Sequence, residues 1–204
     1  MYAAECALFD QIDQKIGAYV QSLLEVNAIE ARKIQKTYLL QYGTTLAGLI
    51  ENHKVDPYHY LADVHAVDFS PIKHDKKLCA GITELSGRKL VFTNADRPYA
   101  TEIMKRLGVF DLFDGIFDIV AAKLQPKPVT SVYDQFIKKF DVDPHKAVMF
   151  EDMVRNLKPA HDLGMGTVWV NTGSIWGEAD YHADYVHAET PKLNNWLYDF
   201  AHSR

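Results

Sequence analysis

Ala147-Val148-Met149-Phe150-Glu151-Asp152 is an unbroken apolar run that ends on two adjacent acids. Apolar residues without alternation predict a buried strand, of the kind found in parallel sheets covered by helices. Two carboxylates at its end repel one another and lose hydration unless a cation or hydrogen-bond donors answer them. The continuation Met153-Val154-Arg155-Asn156-Leu157 reads as the opening of a helix, whose amino end also favours negative charge. Taken alone, the pair is also compatible with Asp152 as a helix cap beside a solvated Glu151.

Working outward, the same grammar repeats. Lys89 to Thr93 reads as a strand, Pro98 to Leu107 as a helix closed by Gly108, and Gly115 to Val120 as a second strand. Val129 to Phe140 reads as a helix, Arg155 to Leu163 as another closed by Gly164, and Thr167 to Val170 as a strand, with Tyr185 to His187 as a last short one. Strands alternating with helices predict an α/β fold, a doubly wound parallel sheet. Ligands in such sheets bind beyond the carboxyl ends of the strands. Thr93 and Glu151-Asp152 share that edge.

The first third is different. Leu8, Ile12, Ile16, Tyr19, Val20, Leu23 and Leu24 recur at helical spacing, and a second helix is predicted from Ala28 to Tyr42. Gly43-Thr44-Thr45 and Asp56-Pro57 break the pattern before a helix from Tyr58 to His65. The expected division is an all-helical subdomain at 1–72 and an α/β core at 73–204. Tyr38, Tyr42, Tyr58 and Tyr60 suit either base stacking or helix packing.

A formal charge of -5 and the lack of a basic stripe argue against nucleic acid as the main partner. No apolar stretch reaches the ~18 residues of a membrane span, and Met1 does not introduce a signal peptide. Cys6 and Cys79 are too few and too unpatterned for a disulfide framework or a thiolate metal site, which suits a reducing, cytoplasmic setting. The sequence does not decide the oligomeric state.

Between the two strand ends lies Gln125-Pro126-Lys127-Pro128, where two prolines restrict the backbone that aims the Lys127 ammonium. Thr93, with Asn94 and Ala95, offers a hydroxyl and backbone N–H groups at a strand-to-helix turn. Thr93 alone could also cap the next helix. A hydroxyl, an ammonium and an acid pair, in that order, are parts of a phosphate site with a bound divalent cation.

Phe92-Thr93-Asn94, Lys127-Pro128 and Phe150-Glu151-Asp152-Met153-Val154-Arg155-Asn156-Leu157 resemble, in order, the second, third and fourth motifs of haloacid-dehalogenase-superfamily hydrolases. Phe9-Asp10-Gln11-Ile12-Asp13, Val64-His65-Ala66-Val67-Asp68 and Arg88 to Asn94 resemble the pyrimidine 5'-nucleotidase-like branch. The likeness runs from Tyr2 to about Gly173. It implies a Rossmannoid core with a helical cap and Mg²⁺-dependent hydrolysis of a phosphomonoester through an aspartyl-phosphate. Thr93, Asn94 and Lys127 would bind phosphate, Thr93 and Lys127 would be catalytic, and Glu151 and Asp152 would hold the metal. The substrate class implied is a small phosphorylated metabolite, such as a nucleoside monophosphate, with His65 and Asp68 near the hinge as candidates to select it.

The family's first motif, a central strand ending in Asp-x-Asp-x-Thr, supplies the nucleophile and the acid/base, and only Met1 precedes the residue that follows it in relatives. Asp141-Val142-Asp143, Asp10 with Asp13, Asp111 with Asp114, and Asp96 are poor substitutes by position. Asp10 and Asp13 read as a solvated helix face. The expectation is a missing first central strand, a gap of about two strand spacings (~9–10 Å), weak Mg²⁺ binding and an inactive chain. The alternative is a non-catalytic phosphate-binding or partner-binding domain.

Overall fold

A computed structural model describes residues 8–202. Four helices come first: α1 (Leu8–Leu24), α2 (Ala28–Tyr42), α3 (Thr45–His53) and α4 (Pro57–Val64). Their starts follow the cap chemistry. Asn27 accepts from Ile29 N and Glu30 N, Thr44 from Ala47 N, and Asp56 from Tyr58 N and His59 N. Val20, Ala31, Leu46, Leu49, Tyr60 and Val64 interlock these helices in one apolar cluster.

The remainder is α5 (Lys76–Glu84), β1 (Leu90–Phe92), α6 (Arg97–Leu107), β2 (Gly115–Phe117), α7 (Thr130–Phe140), β3 (Val148–Glu151), α8 (Leu157–Asp162), β4 (Gly166–Val170), β5 (Ala188–Thr190) and α9 (Leu193–His202). All pairings are parallel: β1 with β2 in one sheet, and β3-β4-β5 in another. Parallel strands joined through helices give the expected α/β fold with its helical cap. Among the described residues, no ladder joins β1 to β3. The carboxyl ends of both strands reach one point, where the Lys127 ammonium bonds Phe92 O and Glu151.

Helix α1 belongs to both clusters. Leu8 and Ile12 pack with Val91 of β1, Ile103 and Met104 of α6 and Leu197 of α9, whereas Val20 packs with the cap.

Several boundaries differ from the sequence expectation. β2 stops at Phe117 because Asp118 turns the chain, accepting from Arg97 N and Ala121 N. The last strand is Ala188–Thr190 rather than Tyr185 to His187. Tyr185 sits in a 3-10 turn, buried beside Val154, Leu157 and Trp169, with its carbonyl bonded to Thr167 Oγ1. A 3-10 turn at Val154–Asn156 precedes α8, so the expected helix starts late. Val148 is 57% exposed, so the apolar run that opened the reading is not buried throughout.

Candidate active site

Thr93 follows β1 directly, and its N–H continues the ladder to Phe117 O at 2.9 Å. Its Oγ1 accepts from Ala95 N at 3.0 Å, which leaves the hydroxyl hydrogen able to donate. The cap of α6 is Asp96, which accepts from Tyr99 N, so Thr93 is not the helix cap. Asn94 braces the neighbouring loop: its Oδ1 accepts from Lys127 N at 2.8 Å and its Nδ2 donates to Lys127 O at 3.2 Å. The Lys127-Pro128 peptide in that loop is cis.

The Lys127 side chain is 5% exposed. Its ammonium donates to Phe92 O at 2.8 Å and to Glu151 Oε2, and lies over the Phe92 ring. Glu151 Oε1 accepts from Met153 N at 3.2 Å and from Asn156 Nδ2 at 3.1 Å. Burial alone would raise the Glu151 carboxyl, but the Lys127 charge and hydrogen bond hold it below its ordinary value. Tyr133, wholly buried, donates to Asn156 O at 2.6 Å and so supports the same turn.

Asp152, the residue after Glu151, keeps an exposed surface. Burial, then the Glu151 charge and hydrogen bond, hold its carboxyl above the usual range, opposed by the Lys127 charge. Its carbonyl accepts from Trp169 Nε1 at 3.1 Å. Magnesium prefers about six oxygen ligands, several of them water. Both Glu151 oxygens accept hydrogen bonds, and the Asp152 carboxylate lies against that of Glu151. Among the described residues no three acid, His or Cys side chains cluster to hold a metal. Asp152, a carboxylate whose neighbour is another acid, fits such an ion as one member of a larger ligand set.

The ordered residues thus converge in part. Lys127 and Glu151 touch, and Thr93 adjoins the Phe92 carbonyl that Lys127 grips. His65 and Asp68 lie elsewhere. His65 Nδ1 is 3.0 Å from Asp96 Oδ1, an ion-pair distance off the line of a hydrogen bond, and its ring stacks on Tyr99 at 4.3 Å. It lines a cavity of about 780 Å³ with Tyr58, Phe69, Asp96 and Tyr99, and neither Thr93 nor Lys127 reaches that cavity. Asp68 closes a turn, accepting from Ser70 N and Oγ. Tyr60 is core, and Tyr38 bonds His53 at 2.8 Å.

Three of the other acids have backbone roles. Asp114 accepts from Lys89 N, Asp143 from His145 N, and Asp141 ends α7 with φ 49°. Asp13 departs from the solvated face expected of it: Arg32, Gln35 and Lys36 of α2 all bond it. Sequence reasoning also missed Arg155, whose guanidinium donates to Leu39 O at 2.6 Å, Leu40 O at 3.1 Å and Gly43 O at 3.2 Å. Nothing local in the sequence announces a contact spanning more than a hundred positions. Asn156, by contrast, lies close enough to Glu151 in the chain to have been a candidate for its second oxygen.

A parallel α/β core under a helical cap thus holds a buried lysine and a threonine at the carboxyl ends of its strands. The family model of haloacid dehalogenase-like hydrolases matches residues 4–164, and the chain belongs to that family. It is 30% identical over 115 residues to phosphate metabolism protein 8 of Saccharomyces cerevisiae, a stretch covering 52% of this chain and 36% of that protein. It is 32% identical over 99 residues to glyceraldehyde 3-phosphate phosphatase of Pyrococcus furiosus, covering 45% of this chain and 40% of that one. The matched stretches therefore span less than half the length of these relatives. The crystal structure of a HAD phosphatase from Thermococcus onnurineus shares the fold, with TM-score 0.57 and 18% identity over 96% of this chain and 89% of that one. Among the described residues, no helix is long and apolar enough to cross a membrane.

Proposed function

We propose that this chain carries the phosphate-binding half of a Mg²⁺-dependent phosphomonoester hydrolase. The observation that carries the reading is the Lys127 ammonium, buried between Phe92 O and Glu151 at the end of the strand that Thr93 follows. A fixed ammonium and an adjacent donor neutralise and orient a phosphoryl group, which is most of what phosphoryl transfer asks of a protein. Asp152 is the carboxylate assigned to Mg²⁺. Glu151 holds Lys127 instead of ligating the metal directly. A bound Mg²⁺ would supply charge neutralisation at the phosphoryl oxygens.

No acid of the described residues is assigned to the aspartyl nucleophile of the resemblance. A small phosphorylated metabolite, with a pyrimidine nucleoside monophosphate as the narrower candidate, is the proposed substrate in a cytoplasmic setting. The names of the two curated relatives support a phosphorylated substrate, not a nucleotide in particular. The cap is taken as residues 1–72, with the first described turns of α1 packed on the core.

The second reading, a non-catalytic phosphate-binding domain, draws on the closed Lys127–Glu151 pair. One experiment separates them: Mg²⁺-dependent phosphate release from p-nitrophenyl phosphate, UMP and glyceraldehyde 3-phosphate, alongside calorimetric binding of inorganic phosphate. Turnover lost in Lys127→Ala and Asp152→Asn establishes the hydrolase. Binding without turnover, lost in Lys127→Ala, favours the second reading. Neither binding nor turnover sinks both.

A further inference from the structure

Arg155 is 7% exposed; its Nη1 and Nη2 donate to backbone oxygens of the cap, while its buried Nε has no hydrogen-bond partner. Leu39 and Leu40 lie in the last turn of α2, and Gly43 follows it. Carbonyls at a helix carboxyl end lack intrahelical partners and attract positive charge. A guanidinium answers several at once, with charge-assisted bonds and fixed geometry. The same residue belongs to the turn that holds the site: Asp152 lies just before it, and Asn156, bonded to Glu151, just after.

Two further contacts join the same partners. Gly43 has φ +87°, and a Cβ built on it would stand 2.8 Å from Lys127 O and 3.1 Å from Pro126 Cγ. The end of α2 therefore rests on the loop that presents Lys127. Lys36 of α2 lies 5.1 Å from the centre of the Trp176 ring. The following residue, Gly177, accepts from Val154 N at 2.7 Å, and a Cβ on it would meet Asp152 O at 2.8 Å.

We propose that Arg155 is a positioning residue that pins α2 of the cap to both the Lys127 loop and the Glu151–Asn156 turn. Cap placement and site geometry are then one variable: the cap cannot shift without releasing the turn that carries Asp152. The structural part stands on these contacts alone; only its consequence for turnover rests on the phosphatase reading.

The test is hydrogen exchange, followed by mass spectrometry, on the 204-residue chain and its variants. Arg155→Met should lower protection about ten- to a hundredfold in segments 39–44 and 125–128, the scale of lost charged hydrogen bonds. Segments in α9 and β4 should keep theirs, and Arg155→Lys should fall between. Unchanged exchange at 39–44 and 125–128 overturns the proposal. So does a uniform loss across the protein, which would make Arg155 a general fold residue. Should Arg155→Met fail to fold, Gly43→Ala presses on the same joint with Arg155 intact. It must loosen 125–128 locally, and unchanged exchange there overturns the proposal equally. With p-nitrophenyl phosphate, Arg155→Met should raise KM, partly restored in Arg155→Lys; a fall in kcat alone contradicts the pin. An unmutated protein that shows neither phosphate binding nor turnover refutes the phosphatase reading, while the exchange result still judges Arg155.

Discussion

Replacing Lys127 with methionine tests the central feature of the site. The pair it breaks is enclosed, with side chains 5% and 8% exposed. Removing one partner of such a pair leaves the other charge uncompensated, at a cost of about 3–5 kcal/mol. Glu151 retains bonds from Met153 N and Asn156 Nδ2, which favours the lower end. Phe92 O, stripped of its donor, adds to the loss. For a chain of this size, about 3 kcal/mol corresponds to a fall of roughly 6–12 °C in Tm. Urea unfolding at neutral pH, followed by circular dichroism, measures it. The double variant Lys127→Met/Glu151→Gln should recover much of the loss, because no unpaired charge remains. A single-variant loss under about 1 kcal/mol, the range of exposed pairs, would refute the argument. So would a double variant as unstable as the sum of the singles.

Three further outcomes are expected. Burial raises the Asp13 carboxyl, but Lys36 and Arg32 outweigh it and hold it low. Its contribution is therefore complete above the unfolded value near ~4 and lost as pH falls through the lower folded value, so Asp13→Asn should flatten the acid limb of stability against pH. Tyr133→Phe leaves the Asn156 carbonyl buried without its donor and should cost about 1–3 kcal/mol in chemical unfolding. Gly81→Ala would set a Cβ 2.8 Å from Leu197 Cβ and Tyr198 N, so it should lower stability by about 1–3 kcal/mol and increase exchange in α9.

Legibility followed sequence distance. The apolar runs at Val91 and Met149 gave parallel strands because burial leaves its mark within each strand. Thr93, Lys127 and Glu151 were found as an ordered set, but only coordinates show that Glu151 serves Lys127. Which of two adjacent acids turns inward depends on the Asn156 amide and the Met153 N–H. Tyr185 reads as the start of a strand yet turns into the core, since tertiary packing outweighs β-propensity. Asp13 was misjudged because its partners sit on another helix. Helix α9 was not anticipated, although Trp196, Leu197 and Phe200 carry its spacing.

The shared ownership of α1 limits how this protein can be taken apart. Leu8 and Ile12 complete a wall behind β1, while Val20, farther along the same rod, is roofed by the cap helices. A cassette swapped at residue 72 would carry away two bricks of the neighbouring house. Any chimera that imports a foreign cap must keep the first turns of α1 or rebuild what they fill beside Val91, Ile103 and Leu197. The joint in this molecule therefore runs through the middle of a helix, not between two elements.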